Sequence, residues 1–229
     1  MKKAMILAAG KGTRLKPFTD TMPKALFPLN GTPILEIVIQ RLIKYGFKDI
    51  IINVHHFAEK IEEFLQINNN FDINITFSHE ENLLETGGGL KKASWFFEKC
   101  GFFLVHNVDI ISDLNLEEFF TYSVENQSIA TLAVSERDSS RYFLFDSEMN
   151  LKGWRNTKTG ETIIYENSAL RPYAFSGIQV LSDSIFQFFP EKDVFSLTEL
   201  YLTVCSRQQV RGYLHSAGNW MDVGKTVSG

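Results

Sequence analysis

The chain holds little that would assign it to a specialised structural class. Its 229 residues include only two cysteines, Cys100 and Cys205, too few and too far apart for a disulfide framework or a cysteine-based zinc site. No apolar run approaches the roughly 20 residues that a membrane span requires. The apolar stretch Ala4–Ala9 is broken by Gly10-Lys11-Gly12 and is too short for the apolar region of a signal peptide. Internal repeats, low-complexity tracts and linker-like segments are missing as well. What remains is 44% hydrophobic and 22% charged, the composition of a folded globular protein rather than a disordered or collagen-like one. The reading is a cytoplasmic protein without a membrane partner.

Positive charge is scarce overall but not evenly so. The formal charge is −4, yet residues 1–24 alone carry +5 and the remainder −9. An acidic body argues against an extended nucleic-acid surface, and the basic N-terminus argues for a local anion site.

Hydrophobic patterning gives the fold class. Buried-strand runs at Lys3–Ala9, Lys48–Val54, Ile73–Ser78 and Phe102–His106 alternate with helical periodicity over Ile34–Tyr45, Phe57–Leu65 and Gly89–Lys99. Thr32-Pro33 is expected to cap the first helix and Gly46 to stop it, while one of His55 and His56 is expected to cap the second. After a helix at Leu116–Val124 come short strand-like segments at 129–135, 142–145, 151–154, 163–165 and 174–181. Helices at Asp183–Phe189 and Leu197–Cys205 follow, the latter opened by a Ser196-x-x-Glu199 capping box, and then a strand at Val210–His215. This order predicts an α/β fold, a Rossmann-like doubly wound mixed sheet. It is expected to form a single domain over 1–229, with a nucleotide-type half at about 1–109 and a mixed half at about 110–229.

The chemistry concentrates first in Leu7-Ala-Ala-Gly-Lys-Gly-Thr-Arg-Leu15, directly after the first strand. Glycines there let backbone N–H groups approach phosphate oxygens, and Lys11 and Arg14 add charge. A dinucleotide fingerprint fails because Leu15 stands where glycine or alanine is needed, and the Walker spacing is absent.

The whole nonapeptide resembles the L-A-A-G-x-G-T-R-L motif of the sugar nucleotidyltransferases. Further matches follow in that family's order. They are Pro23-Lys24 with Gly31-Thr32-Pro33-Ile34, Leu84-Glu-Thr-Gly-Gly-Gly-Leu90, Asn107-x-Asp109, Phe175-Ser-Gly-Ile178 and Trp220-Met-Asp-Val-Gly224. The resemblance implies a transfer of a nucleoside monophosphate from a nucleoside triphosphate to a sugar 1-phosphate. It implies Arg14, Lys24 and Asp109 as catalytic residues, with Mg²⁺ held by Asp109 and Asp222. It implies that Ala9, Gly10, Lys11, Gly12, Thr13, Arg14 and Lys24 line the triphosphate. Thr86 and Gly87 would then face the base, which could approach the backbone where side chains are absent, and Glu80 would read its edge. Asn107, Gly153, Arg155 and Gly177 would face the sugar. Lys2 and Lys16 are expected to be solvated.

Segments 54–59 and 78–89 look most like the uridylyltransferases of N-acetylmuramate 1-phosphate, cell-wall recycling enzymes, with the mannose and heptose 1-phosphate guanylyltransferases next. UTP is therefore the expected donor and GTP the alternative. A catalytically inactive nucleotide-sugar-binding regulator is the alternative of another class. A cytidylyltransferase for an alcohol phosphate fits less well, because the Glu-Thr-Gly-Gly-Gly segment would not be expected in it. The sequence departs from the family at Arg155-Asn156, where many relatives carry Glu-Lys, and at Val108, where glycine or serine is common.

Overall fold

In the computed structural model, which describes residues 2–166, 169–216 and 218–226, the first half builds a parallel sheet. β1 (Lys2–Leu7) is followed by a long loop containing the two-residue ribbon β2 (Pro28–Leu29) and β3 (Thr32–Pro33). Then come α1 (Ile34–Lys44), β4 (Phe47–Val54), α2 (Ala58–Ile67), β5 (Asn74–His79), α3 (Glu85–Lys92) and β6 (Phe102–Asn107). β1 pairs in parallel with both β4 and β6, and β4 with β5.

The second half adds β7 (Ile110–Ile111), α4 (Leu116–Glu125), β8 (Ala130–Ser135), β9 (Arg141–Phe145), β10 (Leu151–Asn156) and β11 (Thr162–Ile164). It closes with β12 (Arg171–Ser182), α5 (Leu197–Val204), β13 (Val210–Leu214), β14 (Met221–Asp222) and α6 (Val223–Thr226). β12 joins the halves: its C-terminal part runs antiparallel to both β6 and β8, and its first residues pair with β9. The sheet is therefore mixed, as expected from the sequence.

Both faces of the sheet are covered, which explains the continuous apolar run of β4. Ile50 and Ile52 pack under α1, α2 and α4 with Ile34, Ile61 and Phe119, while Ile51 packs on the other face with Leu90 of α3 and Leu200 of α5. Alternate side chains of one strand thus feed two cores. Burying each such side chain contributes about 1.5–3 kcal/mol. Val108 is 4% exposed and belongs to the first core, so the branched side chain in the Asn-x-Asp segment has a packing role.

Local expectations fail where tertiary contacts intervene. Thr32 pairs with Leu29 across the small ribbon and does not cap α1, which has no side-chain cap. His55 leaves α2 uncapped and contacts the Glu80 carbonyl at 2.8 Å through Nδ1. The segment Asp183–Phe188 is 3-10 rather than α-helical. The Ser196 hydroxyl accepts from Glu199 N as a capping box requires, but the Glu199 carboxylate turns outward to Lys192. Gly46 does end α1, with φ +81.

Candidate functional site

The parallel strands β1, β4, β5 and β6 deliver their C-terminal loops to one edge of the sheet, the place where open α/β sheets bind ligands. Asp109 lies there, just past β6, and Asp222 is brought beside it by the β7–β14 ribbon. In that ribbon Asp222 pairs with Ile110, and Val223 N donates to Asp109 O at 3.0 Å. Two carboxylates far apart in sequence thus share one short stretch of backbone.

Cations already sit on both. Lys24 Nζ donates to the Asp109 carboxylate, and Lys24 is only 8% exposed. Arg14 Nη1 lies 3.5 Å and Lys225 Nζ 3.8 Å from Asp222 Oδ2. Gly12 makes the Lys24 position possible. Its φ is +62, and a Cβ there would stand 2.7 Å from Lys24 Cβ. Thr19 holds the same turn by donating from Oγ1 to Gly12 O at 3.0 Å. Lys11 and Thr13 are exposed on this loop. Lys2 and Lys3 are structural instead: Lys2 pairs with Glu117, and Lys3 donates to Phe96 O at 2.5 Å. Lys16 is exposed and pairs with Asp20.

A cavity of about 330 Å³ opens between the loops, lined by Ala9, Gly10, Lys24, Thr86, Asn107 and Asp109 among others. Glu80 also lines it, but its carboxylate is committed. Asn53 Nδ2 donates to Oε1 at 2.7 Å and Leu84 N donates to Oε2 at 3.1 Å, while Asn53 Oδ1 accepts from Ala8 N at 2.7 Å. The chain Ala8–Asn53–Glu80–Leu84 ties the loops after β1 and β5 together, and Glu80 acts as a strut within it.

The glycine segment is also placed differently from expectation. α3 starts at Glu85, so Thr86-Gly87-Gly88 forms its first turn rather than a loop. Gly87 N and Gly88 N donate to Phe195 O at 2.9 and 3.1 Å. A Cβ would come 2.4 Å from the Phe195 ring at position 87 and 1.9 Å from Asp193 O at position 88. The absent side chains therefore admit the 193–195 segment of the protein itself, and Thr86 is the residue of this group that lines the cavity.

A second cavity adjoins the first through Asn107 and Asp109 and contains Arg14, Gly177, Asp222 and Lys225. Trp154 lines it, but Gly153 and Arg155 do not. Successive strand residues face opposite ways; Gly153 packs against Ile163 O of β11, and Arg155 is exposed. The structure thus places these two residues outside the lining of both cavities.

Two arginines not foreseen take their place, Arg137 and Arg141. The Arg137 guanidinium lies 3.6 Å from the Trp220 ring centroid and donates from Nη2 to Phe175 O at 2.6 Å. Trp220 is fixed in turn by donating Nε1–H to Ser176 O at 2.9 Å. Burial lowers the Arg137 pKa and the nearby Asp222 charge opposes that. Glu136-Arg137-Asp138 carries no spacing signal that could have revealed this stack in the sequence.

No group of three or more His, Cys, Asp or Glu side chains among the described residues is arranged to hold a metal. The two adjacent carboxylates nevertheless offer hard oxygen donors, and the ammonium and guanidinium groups seated on them show that cations are accommodated there. A divalent ion that retains several waters needs no more than such a pair.

The profile of the nucleotidyl transferase family matches residues 3–228. The chain is 30% identical to the N-acetylmuramate alpha-1-phosphate uridylyltransferase of Neisseria meningitidis, over 97% of this chain and 93% of that one. It is 28% identical to the UTP–glucose-1-phosphate uridylyltransferase of Synechocystis, again over 97% of this chain but spanning only 60% of the relative's length. Among solved structures, HddC from Yersinia pseudotuberculosis complexed with GMP-PN superposes with a TM-score of 0.78 at 23% identity, covering 100% of this chain and 96% of that one.

Proposed function

The chain belongs to the nucleotidyl transferase family, and from that premise we propose that it transfers a nucleoside monophosphate, with UTP the favoured donor, to a sugar 1-phosphate. One observation carries the reading: Asp109, Asp222, Lys24 and Arg14 converge on the seam between two adjoining cavities. The first cavity takes the nucleotide and the second the acceptor, so the α-phosphorus and the attacking oxygen meet at the charged seam. UTP rests on the two uridylyltransferase relatives.

In the reaction an ionised oxygen of the sugar phosphate forms a bond to the α-phosphorus. The bond from that phosphorus to the bridging oxygen of the β-phosphate breaks, and pyrophosphate leaves with the electron pair. No side-chain nucleophile or base is required, because the attacking oxygen is already deprotonated. The work of the chain is positioning and charge compensation. Lys24 and Arg14, released from Asp109 and Asp222, turn to the phosphates. Arg137, seated over the Trp220 ring, and Arg141 face the acceptor phosphate, the task of the lysine that Arg155-Asn156 lacks. Asp109 and Asp222 are the residues that would hold Mg²⁺, which when bound offsets phosphate charge.

The test is a matrix of four nucleoside triphosphates against several sugar 1-phosphates, read by pyrophosphate release. Release with UTP and at least one acceptor is expected. Release with GTP alone would overturn the donor assignment. Release with none would overturn the enzymatic reading in favour of a nucleotide-sugar-binding regulator.

A further inference from the structure

The Asp222 carboxylate is carried by a very small element. β7 and β14 pair over two residues each, fewer than a hairpin needs to hold its shape unaided in water. Yet this ribbon sets where Asp222 lies relative to Asp109, and a displacement of about 1 Å is enough to impair a reacting site.

The ribbon is prolonged at both ends in one register. At the seam Val223 N donates to Asp109 O at 3.0 Å. At the far end the pairing of Met221 with Ile111, carried two residues further, sets Asn219 opposite Asp113, and Asn219 Nδ2 donates to Asp113 Oδ2 at 2.9 Å. Between these ends Trp220 Nε1 donates to Ser176 O of β12.

The β7 side has an anchor of its own on α1. Arg41 donates from Nη1 to Ser112 Oγ at 3.2 Å and from Nη2 to the Leu114 carbonyl. Ser112 and Leu114 are the two neighbours of Asp113 in sequence, and both are buried, whereas Asp113 and Asn219 are exposed. A planar guanidinium with its donors in a fixed fork holds two acceptors at once, so Asp113 is presented to Asn219 at a set place. Burial lowers the Arg41 pKa, and the charge of Asp113 is among the effects opposing that. Arg41, Asp113 and Asn219 line neither cavity of the seam.

Resting on the function proposed above, we propose that Arg41 is a positioning residue for that reaction. Through Asp113 and Asn219 it fixes the register of β7 on β14, and with it the placement of Asp222 against Asp109. Groups that orient a metal ligand from behind in this way set metal affinity nearly as strongly as the ligand itself. The Gly10–Thr13 loop is held separately, by Thr19 at Gly12 O.

The test measures Mn²⁺ binding to the ligand-free full chain by electron paramagnetic resonance, with Asp109→Asn as the baseline. Arg41→Met should weaken Mn²⁺ binding about tenfold or more, and Asn219→Ala about three- to tenfold. Arg41→Lys, which keeps one of the two hydrogen bonds, should fall between Arg41→Met and the wild type. Combining Arg41→Met with Asn219→Ala should weaken binding no further than Arg41→Met, because both act through one link. In turnover, the Mg²⁺ requirement should rise by the same factors while kcat at saturating Mg²⁺ stays within about threefold. A merely structural Arg41 would lower the melting temperature, leave the Mn²⁺ affinity of the folded chain unchanged and give Asn219→Ala no effect. Asn219, exposed at the surface, also serves if Arg41→Met does not fold. Mn²⁺ affinities within about twofold of wild type in Asn219→Ala and Arg41→Lys overturn the positioning role, while pyrophosphate release by the wild type leaves the transferase standing. Weakened Mn²⁺ binding in the variants of a chain that releases no pyrophosphate overturns the transferase and keeps the positioning role. A wild type that binds Mn²⁺ no better than Asp109→Asn overturns this inference together with the metal assignment.

Discussion

Glu80→Gln separates a strut from a base reader. The Glu80 carboxylate accepts from two donors, Asn53 Nδ2 at 2.7 Å and Leu84 N at 3.1 Å, at 5% exposure. Glutamine keeps one acceptor oxygen and replaces the other with an amide nitrogen, which then faces an N–H. Asn53 cannot compensate by turning over, because its Oδ1 is held by Ala8 N. One buried donor is left unsatisfied, at a cost of about 1–3 kcal/mol. In a chain of this size that corresponds to a melting temperature lower by about 2–12 °C, measured by calorimetry. The ratio of kcat/KM for UTP over GTP should stay within about twofold, since both oxygens are oriented by protein donors rather than by the base. A changed nucleotide preference at unchanged melting temperature would refute the reasoning and return Glu80 to base recognition.

Other substitutions test the remaining parts of the site. Asp109→Asn and Asp222→Asn should each cut pyrophosphate release by about 100-fold or more with near-UV circular dichroism unchanged; activity close to wild type in both would remove the carboxylate pair from the mechanism. Arg141→Ala should raise the acceptor KM about tenfold or more, whereas Arg155→Ala should leave kinetics unaltered; the reverse pattern would put Arg155 back into the site. Gly88→Ala, which sets a methyl 1.9 Å from Asp193 O, should destabilise by about 1–3 kcal/mol in urea unfolding. Burial lowers the His106 pKa to about 3 from 6.5, with Arg41 adding to the shift and Asp109 opposing it. Between those values the unfolded chain binds a proton that the native one does not, so this contribution is present in full above pH 6.5 and is lost as pH falls toward 3. His106→Gln should flatten the acid limb of the stability profile by about one proton; an unchanged slope would contradict a buried neutral imidazole.

The alternation of strands and helices along the chain and the double winding were legible because buried parallel strands leave unbroken apolar runs, as Ile50-Ile51-Ile52 does. The charged seam was legible only through motif resemblance, since nothing in spacing says that Asp109 and Asp222 meet; a two-residue ribbon too short to carry a pattern joins them. The packing at Gly87 was not legible, because a sequence cannot distinguish room for a ligand from room for residues 193–195. The position of Arg155 outside the cavity lining was not legible, because strand parity depends on a register that Gly153 and Trp154 leave ambiguous. Arg137 was invisible for a different reason: it acquires its meaning from Trp220, a partner in another part of the chain.

The central claim is that the seam joins a nucleotide to a sugar phosphate without hydrolysing either. Phosphorus NMR of UTP and a sugar 1-phosphate with the full chain and Mg²⁺ tests it directly. The account predicts pyrophosphate and a nucleoside diphosphate sugar appearing in equal amounts, with loss of both Asp109→Asn and Asp222→Asn turnover. Appearance of orthophosphate or free nucleoside monophosphate in place of the diphosphate sugar would contradict it.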